Sequence, residues 1–172
     1  MIYIDWDVLI QNNAENIFDA YPECCFGAYY LPDHPDADYK NDYDNFKSLI
    51  SVDKDFELSE YFNSGVILLN HETIDGIFPI MRDTYDRILE KTKDIAIESI
   101  RPYAREEFLL NYIIETTETD RVKLDKKWNT AFEDGLDYTD DGWFLHFNKP
   151  TCRDKTDTIR SIIGRKALLS SE

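Results

Sequence analysis

Tyr61-Phe62-Asn63-Ser64-Gly65-Val66-Ile67-Leu68-Leu69 is the stretch on which the fold turns. It ends in a continuous apolar run, the pattern of a strand covered on both faces. The small and polar residues before that run suit close approach of a ligand or a second backbone, with Gly65 removing the side-chain obstacle; an ordinary strand-entry turn reads the same way. Towards the N-terminus, Phe26 to Leu31 is a second strand-like stretch, and Ile2-Tyr3-Ile4 is a short apolar strand that stops at Asp5-Trp6-Asp7. Pro32 to Asp55 is polar and acidic with two prolines, and reads as a long surface loop with one helical turn near Phe46 to Ile50. Beyond the central run, Ile77, Met81, Tyr85 and Ile88 predict an amphipathic helix with Pro79 in its first turn. Ala104, Phe108, Tyr112 and Ile113 mark a second helix, Val122 to Leu124 and Trp143 to Phe147 two more strands, and Ile159, Ile162, Ile163 and Lys166 a helix within Asp154 to Leu169. Strands alternating with helices predict an α/β layered fold.

The chain of 172 residues is long enough for one domain, taken as residues 1–172, and too short for two ordinary ones. Its 42% hydrophobic and 14% aromatic content is that of a packed globular protein. The formal net charge of −16 repels phosphate backbones and anionic membranes, which argues against nucleic-acid binding. It does not exclude an anionic small ligand, because a bound divalent cation inverts the local sign. Cys24 and Cys25 are adjacent and Cys152 is distant, which is neither metal-ligand spacing nor a disulfide framework. No apolar run approaches the roughly 18 residues of a membrane span, and the N-terminus has no signal-peptide profile, so cytoplasmic residence is the expectation.

Asp5 and Asp7 converge if the chain leaves the extended state between them, and paired carboxylates suit Mg²⁺ or Mn²⁺ bridging to phosphates. In a chain this acidic a D-x-D also arises by chance, as Asp36 and Asp38 do, and a surface acidic loop reads the same way; the position of Asp5 and Asp7 after an apolar strand adds weight to the metal reading. His146, inside the aromatic run Trp143-Phe144-Leu145-His146-Phe147, is either a structural histidine or a third ligand, and Lys149 just beyond suits a phosphate as a point charge. Glu106 and Glu107 open a helix where the dipole favours acids, or else face a substrate. Trp128, in Lys126-Lys127-Trp128-Asn129, offers either an indole face for a sugar or a core side chain.

Taken in order, these segments resemble the family 8 glycosyltransferases, retaining enzymes with a GT-A fold. Ile4-Asp5-Trp6-Asp7-Val8-Leu9 is similar to the family's strand-terminal D-x-D. Tyr61-Phe62-Asn63-Ser64-Gly65-Val66 with Leu69-Asn70 resembles its Y-F-N-[SA]-G-V…N block, Lys127-Trp128-Asn129 its K-W-N element, and His146-Phe147 with Lys149-Pro150 its closing H-[FY]…K-P. Glu106 to Asn111 falls where the family has an acid–glutamine–acid segment ending Leu-Asn.

The resemblance implies a mixed sheet flanked by helices and a hexosyltransferase using a nucleotide-diphosphate sugar, UDP-hexose first among them, with a saccharide or other hydroxyl acceptor. It implies Mn²⁺ or Mg²⁺ on Asp5, Asp7 and His146, Lys149 on a phosphate, Asn63, Ser64 and Gly65 lining the donor-sugar or acceptor pocket, and Trp128 and Asn129 on the acceptor side. Glu107 stands in place of the family's glutamine and with Glu106 is the catalytic candidate; a carboxylate there serves as nucleophile, ion-pair stabiliser or base. The family's base-binding half precedes the D-x-D, and its two βαβ units amount to roughly 60 residues or more. The expectation is therefore an N-terminally truncated GT-A domain, completed by a missing segment or a second chain. A catalytically inactive carbohydrate-binding or assembly module is the alternative, and a metal-dependent phosphotransferase or nucleotidyltransferase a third reading that leaves the later blocks unexplained.

Overall fold

Continuity of the Val66-Ile67-Leu68-Leu69 run demands cover on both faces, and the computed structural model supplies it. Ile67 and Leu69 pack into one hydrophobic cluster while Val66 and Leu68 pack into another, the two-residue alternation of a strand. The structure describes residues 1–31, 37–50 (backbone only for 37–42), 60–96, 106–131 and 142–147, with Lys155, Asp157, Ile159, Arg160 and Ile163. The elements run β1 (Ile2–Ile4), β2 (Val8–Ile10), α1 (Ile17–Ala20), β3 (Phe26–Tyr30), α2 (Ala37–Ile50), β4 (Phe62–Leu69), α3 (His71–Thr92), α4 (Glu106–Thr116), β5 (Arg121–Lys123), a 3-10 turn (Lys126–Trp128), β6 (Thr130–Ala131) and β7 (Phe144–His146). The five described residues of the tail are helical.

The strands form two mixed sheets. The larger has the order β1-β4-β3-β5, antiparallel except for the parallel β3–β5 pair; the smaller has the order β2-β7-β6, with β6–β7 parallel. One face of the larger sheet carries Phe26, Phe62 and Ile67 against Tyr43, Phe46 and Ile50 of α2, Ile77 and Ile88 of α3, and Phe108, Ile113 and Ile114 of α4. On its other face Val66 and Leu68 join Ile17, Leu124, Trp128 and Phe144, with Ile2, Ile4 and Val8 packed alongside. The chain is thus a mixed α/β structure of helices and two sheets in layers.

Two expectations are corrected. The acidic stretch read as a loop contains the 14-residue α2, whose Tyr43, Phe46 and Ile50 recur at helical spacing on a buried face. Among the described side chains of α2 three apolar positions hold that face down, and the surrounding acids mask the period. Pro79 lies not in a first turn but inside α3, because Asn70 caps the helix earlier by accepting from Thr73 N–H at 2.7 Å. Pro79 is on the exposed side, where the carbonyl it leaves unbonded is least costly. Residues 51–59 of the same stretch lie outside the described residues. β1 is an edge of the larger sheet, and among the described residues no helix is long and apolar enough to cross a membrane.

Helix α4 is clamped to the sheet by a buried polar contact. Asn111 is 1% exposed; its Oδ1 accepts from Phe62 N–H at 3.0 Å and its Nδ2 donates to the Phe62 carbonyl at 3.0 Å and to the Glu107 carbonyl at 2.9 Å. Asn111→Ala strands both Phe62 backbone groups in the interior. It is expected to destabilise the chain by about 3 kcal/mol, read as a lowered urea midpoint at unchanged slope.

Candidate metal centre

Asp5-Trp6-Asp7 is the turn that carries the chain from one sheet to the other. Val8 N–H donates to the Asp5 carbonyl at 3.2 Å and closes it, so the two carboxylates converge as the sequence allowed. The β2–β7 register then sets His146 opposite Val8, and Phe147 N–H donating to the Asp7 carbonyl at 3.0 Å extends the pairing past the turn. His146 Nε2 comes to lie 3.4 Å from Asp7 Oδ1 and 3.7 Å from Asp5 Oδ2. One ligand atom from each residue falls within 4.8 Å of the others. Adjacent oxygens around a Mg²⁺-sized ion are about 3 Å apart, so a small inward movement closes the three atoms on a cation.

Space for the imidazole comes from β4. Ala28 pairs with Ile67 and Tyr29 with Asn63, which leaves Ser64, Gly65 and Val66 without β3 partners, while Val66 pairs with Ile4 and the Gly65 carbonyl accepts from Asp5 N–H at 2.9 Å. This bulge brings Gly65 against His146, and a Cβ on Gly65 would fall into the imidazole ring. The obstacle that Gly65 removes is therefore one to the histidine itself, not to a ligand.

Each of the three side chains has one polar atom held and its other atom turned to the common centre. Tyr3 Oη donates to Asp5 Oδ1 at 2.6 Å, leaving Oδ2 inward. Lys155 Nζ lies 2.5 Å from Asp7 Oδ2, leaving Oδ1 inward. His146 Nδ1 meets Asn129 Oδ1 at 3.0 Å, leaving Nε2 inward. The tautomer follows from obligate donors. Gly65 N–H donates to Asn63 Oδ1 at 2.9 Å, fixing that atom as an acceptor, so Asn129 donates to it through Nδ2 at 2.8 Å. Asn129 must then accept at Oδ1, Nδ1 carries the proton, and Nε2 presents its lone pair to two carboxylates. A lone pair facing two anions is an arrangement that a cation between them stabilises.

Electrostatics agree. Burial pushes the His146 pKa below its ordinary value, outweighing the opposite pull of Asp7 and Asp5, so the ring stays neutral near pH 7. The hydrogen bond to Asp5 and burial push the Tyr3 phenol up to about 12, with the charge of Glu106 contributing, so the phenol remains a donor. Glu106 is exposed, while Glu107 is half-buried with Oε1 enclosed.

The other sequence-predicted residues divide. Asn63, Gly65 and Asn129 join the centre as supports of His146, and Ser64 is buried in the bulge. Trp128 does not offer a stacking face: it is fully buried, edge-on to Tyr21, Trp143 and Phe144. Its indole fills the space between the sheets, which overrides the exposed-platform reading. Lys149 and Cys152 lie outside the described residues; Cys24 and Cys25 are free thiols. Tyr3 and Lys155 were missed. Tyr3 was legible as the residue two before Asp5 on the same strand face; Lys155 precedes Ile159 by one helical turn, and Ile159 packs beside Leu145, Phe147 and Leu9.

No family model, curated protein or solved structure matches the chain.

Two outcomes test this geometry. Gly65→Ala is expected to push the His146 ring aside and cost about 2 kcal/mol, read from thermal unfolding. An imidazole that is harder to protonate in the folded chain stabilises it fully above the ordinary range and loses that contribution as pH falls below about 6.5. NMR titration of the metal-free chain should place His146 below that value, with stability declining over the same acidic window.

Proposed function

We propose that this chain is a metal-dependent glycosyltransferase module of the GT-A, family 8-like kind, which moves a hexose from a nucleotide-diphosphate sugar to a hydroxyl acceptor. The observation that carries the reading is the centre itself: Asp5 Oδ2, Asp7 Oδ1 and His146 Nε2 converge, each with its other polar atom already engaged. That donor set, two oxygens and one neutral imidazole nitrogen, fits Mn²⁺ or Mg²⁺ with open positions for phosphate oxygens. When bound, the cation would supply charge stabilisation to a departing diphosphate.

The chain's own residues would do the rest. Tyr3 and Asn129 orient Asp5 and His146, so little reorganisation accompanies loading. The bulge at Asn63, Ser64 and Gly65 packs directly behind the centre, which keeps its rear closed to water. Glu106, whose charge is felt by Tyr3, and Glu107, one residue on, are the carboxylates assigned to the sugar by the resemblance. Trp128 plays no part in acceptor stacking in this reading. The binding-module alternative draws on that same burial, since the expected acceptor platform is absent from Trp128.

The test is donor hydrolysis in Mn²⁺ across several nucleotide sugars, comparing the chain with Asp7→Asn. Turnover reduced more than about 100-fold in the variant, together with lost Mn²⁺ binding in calorimetry, is expected. No turnover with any donor in a chain that binds Mn²⁺ would leave the binding module, and no Mn²⁺ binding at all would sink the centre.

A further inference from the structure

Lys155 sits where an ordinary surface lysine does not. Its Nζ is 2.5 Å from Asp7 Oδ2, its side chain is 26% exposed, and the carboxylate it meets is only 7% exposed. The ammonium also stands 5.2 Å from the ring centroid of Trp6, which is 81% exposed beside the centre. The opposite oxygen of Asp7 faces His146. Asp7 is thus shared between the centre and a fixed cation.

Resting on the metal reading above, we propose that Lys155 is an anion-binding residue of the same centre, setting its charge so that a cation-loaded site favours the phosphates of a nucleoside diphosphate. The charge count gives the reason. Asp5 and Asp7 contribute two negative charges and Lys155 one positive, a net of minus one; a divalent cation brings this to plus one. Without the lysine the same centre runs from minus two to zero. Lys155 therefore opposes the bare cation and favours the anion that follows it. An ammonium has three donors, and the one given to Asp7 leaves two for a phosphate oxygen. Ile159, packed beside Leu145 and Phe147, anchors the same helical segment one turn away.

A lysine that only braced the fold would make every affinity fall together when removed, whereas this role requires opposite signs. Calorimetry would titrate the full chain, K155M and K155R with Mn²⁺ alone, then with UDP at saturating Mn²⁺. K155M, which keeps the stem and removes the charge, is expected to bind Mn²⁺ about tenfold more tightly and UDP about tenfold more weakly. K155R, which keeps the charge, should stay within about threefold of the full chain in both. Unchanged affinities in K155M, or weakening of both, overturns the role of Lys155 while Mn²⁺ binding by the parent leaves the centre standing. If K155M does not fold, K155R departing from the parent in the same two directions as a charge loss overturns it. Failure of the parent chain to bind Mn²⁺ overturns the metal reading and this inference together.

Discussion

The packing of the His146 ring against Gly65 is the contact from which the centre is built. An imidazole can occupy that position only because β4 has no side chain at Gly65, which lies where the ladder with β3 breaks between Asn63 and Ile67. On the opposite edge of β4 the Gly65 carbonyl accepts from Asp5 N–H, carrying the β1 pairing to the point where the chain turns through Asp5, Trp6 and Asp7. One irregularity in the middle strand of a buried sheet thereby positions residues from both ends of the chain.

Burial makes this arrangement demanding. Asp7, His146 and Asn129 are all nearly enclosed, and an unpaired polar group in such a place costs more than a hydrogen bond returns. The molecule meets the demand with a chain of obligate donors and acceptors that begins at the Gly65 amide and ends on His146 Nδ1. Because each link has only one workable orientation, the chain fixes the tautomer, and with it the direction of the Nε2 lone pair. The carboxylates are held by different means: a phenol on Asp5 and an ammonium on Asp7.

The acidity of the chain takes on a local meaning here. A net charge of −16 disfavours anionic partners over the surface at large. At the centre, the proposed cation and Lys155 would reverse that field over a few ångströms, which is what a phosphate-bearing ligand needs. The indole offered for a sugar went elsewhere: Trp128 fills the layer between the sheets with Phe144, while Trp6 stands largely in solvent beside the carboxylates.

Much of the scaffold was legible because hydrophobic period is a local signal. The Val66–Leu69 run announced a doubly covered strand, and Ile77 with Ile88 a buried helix face, both of which the structure contains. Asp5, Asp7 and His146 stood out by residue type and by their places at strand ends. Helix α2 was hidden because its buried face rests on a few aromatic and apolar positions amid acids whose charges say nothing about period. What only the tertiary structure decided is which atoms meet. Asn63 and Asn129 are separated by 66 positions, and Lys155 and Asp7 by 148, so neither pairing has any local signature. Sequence alone determined which side chains were chemically able to hold a cation; the strand register and the bulge at Gly65 determined that three of them face one point, because register is set by burial summed over whole strands rather than by any one residue.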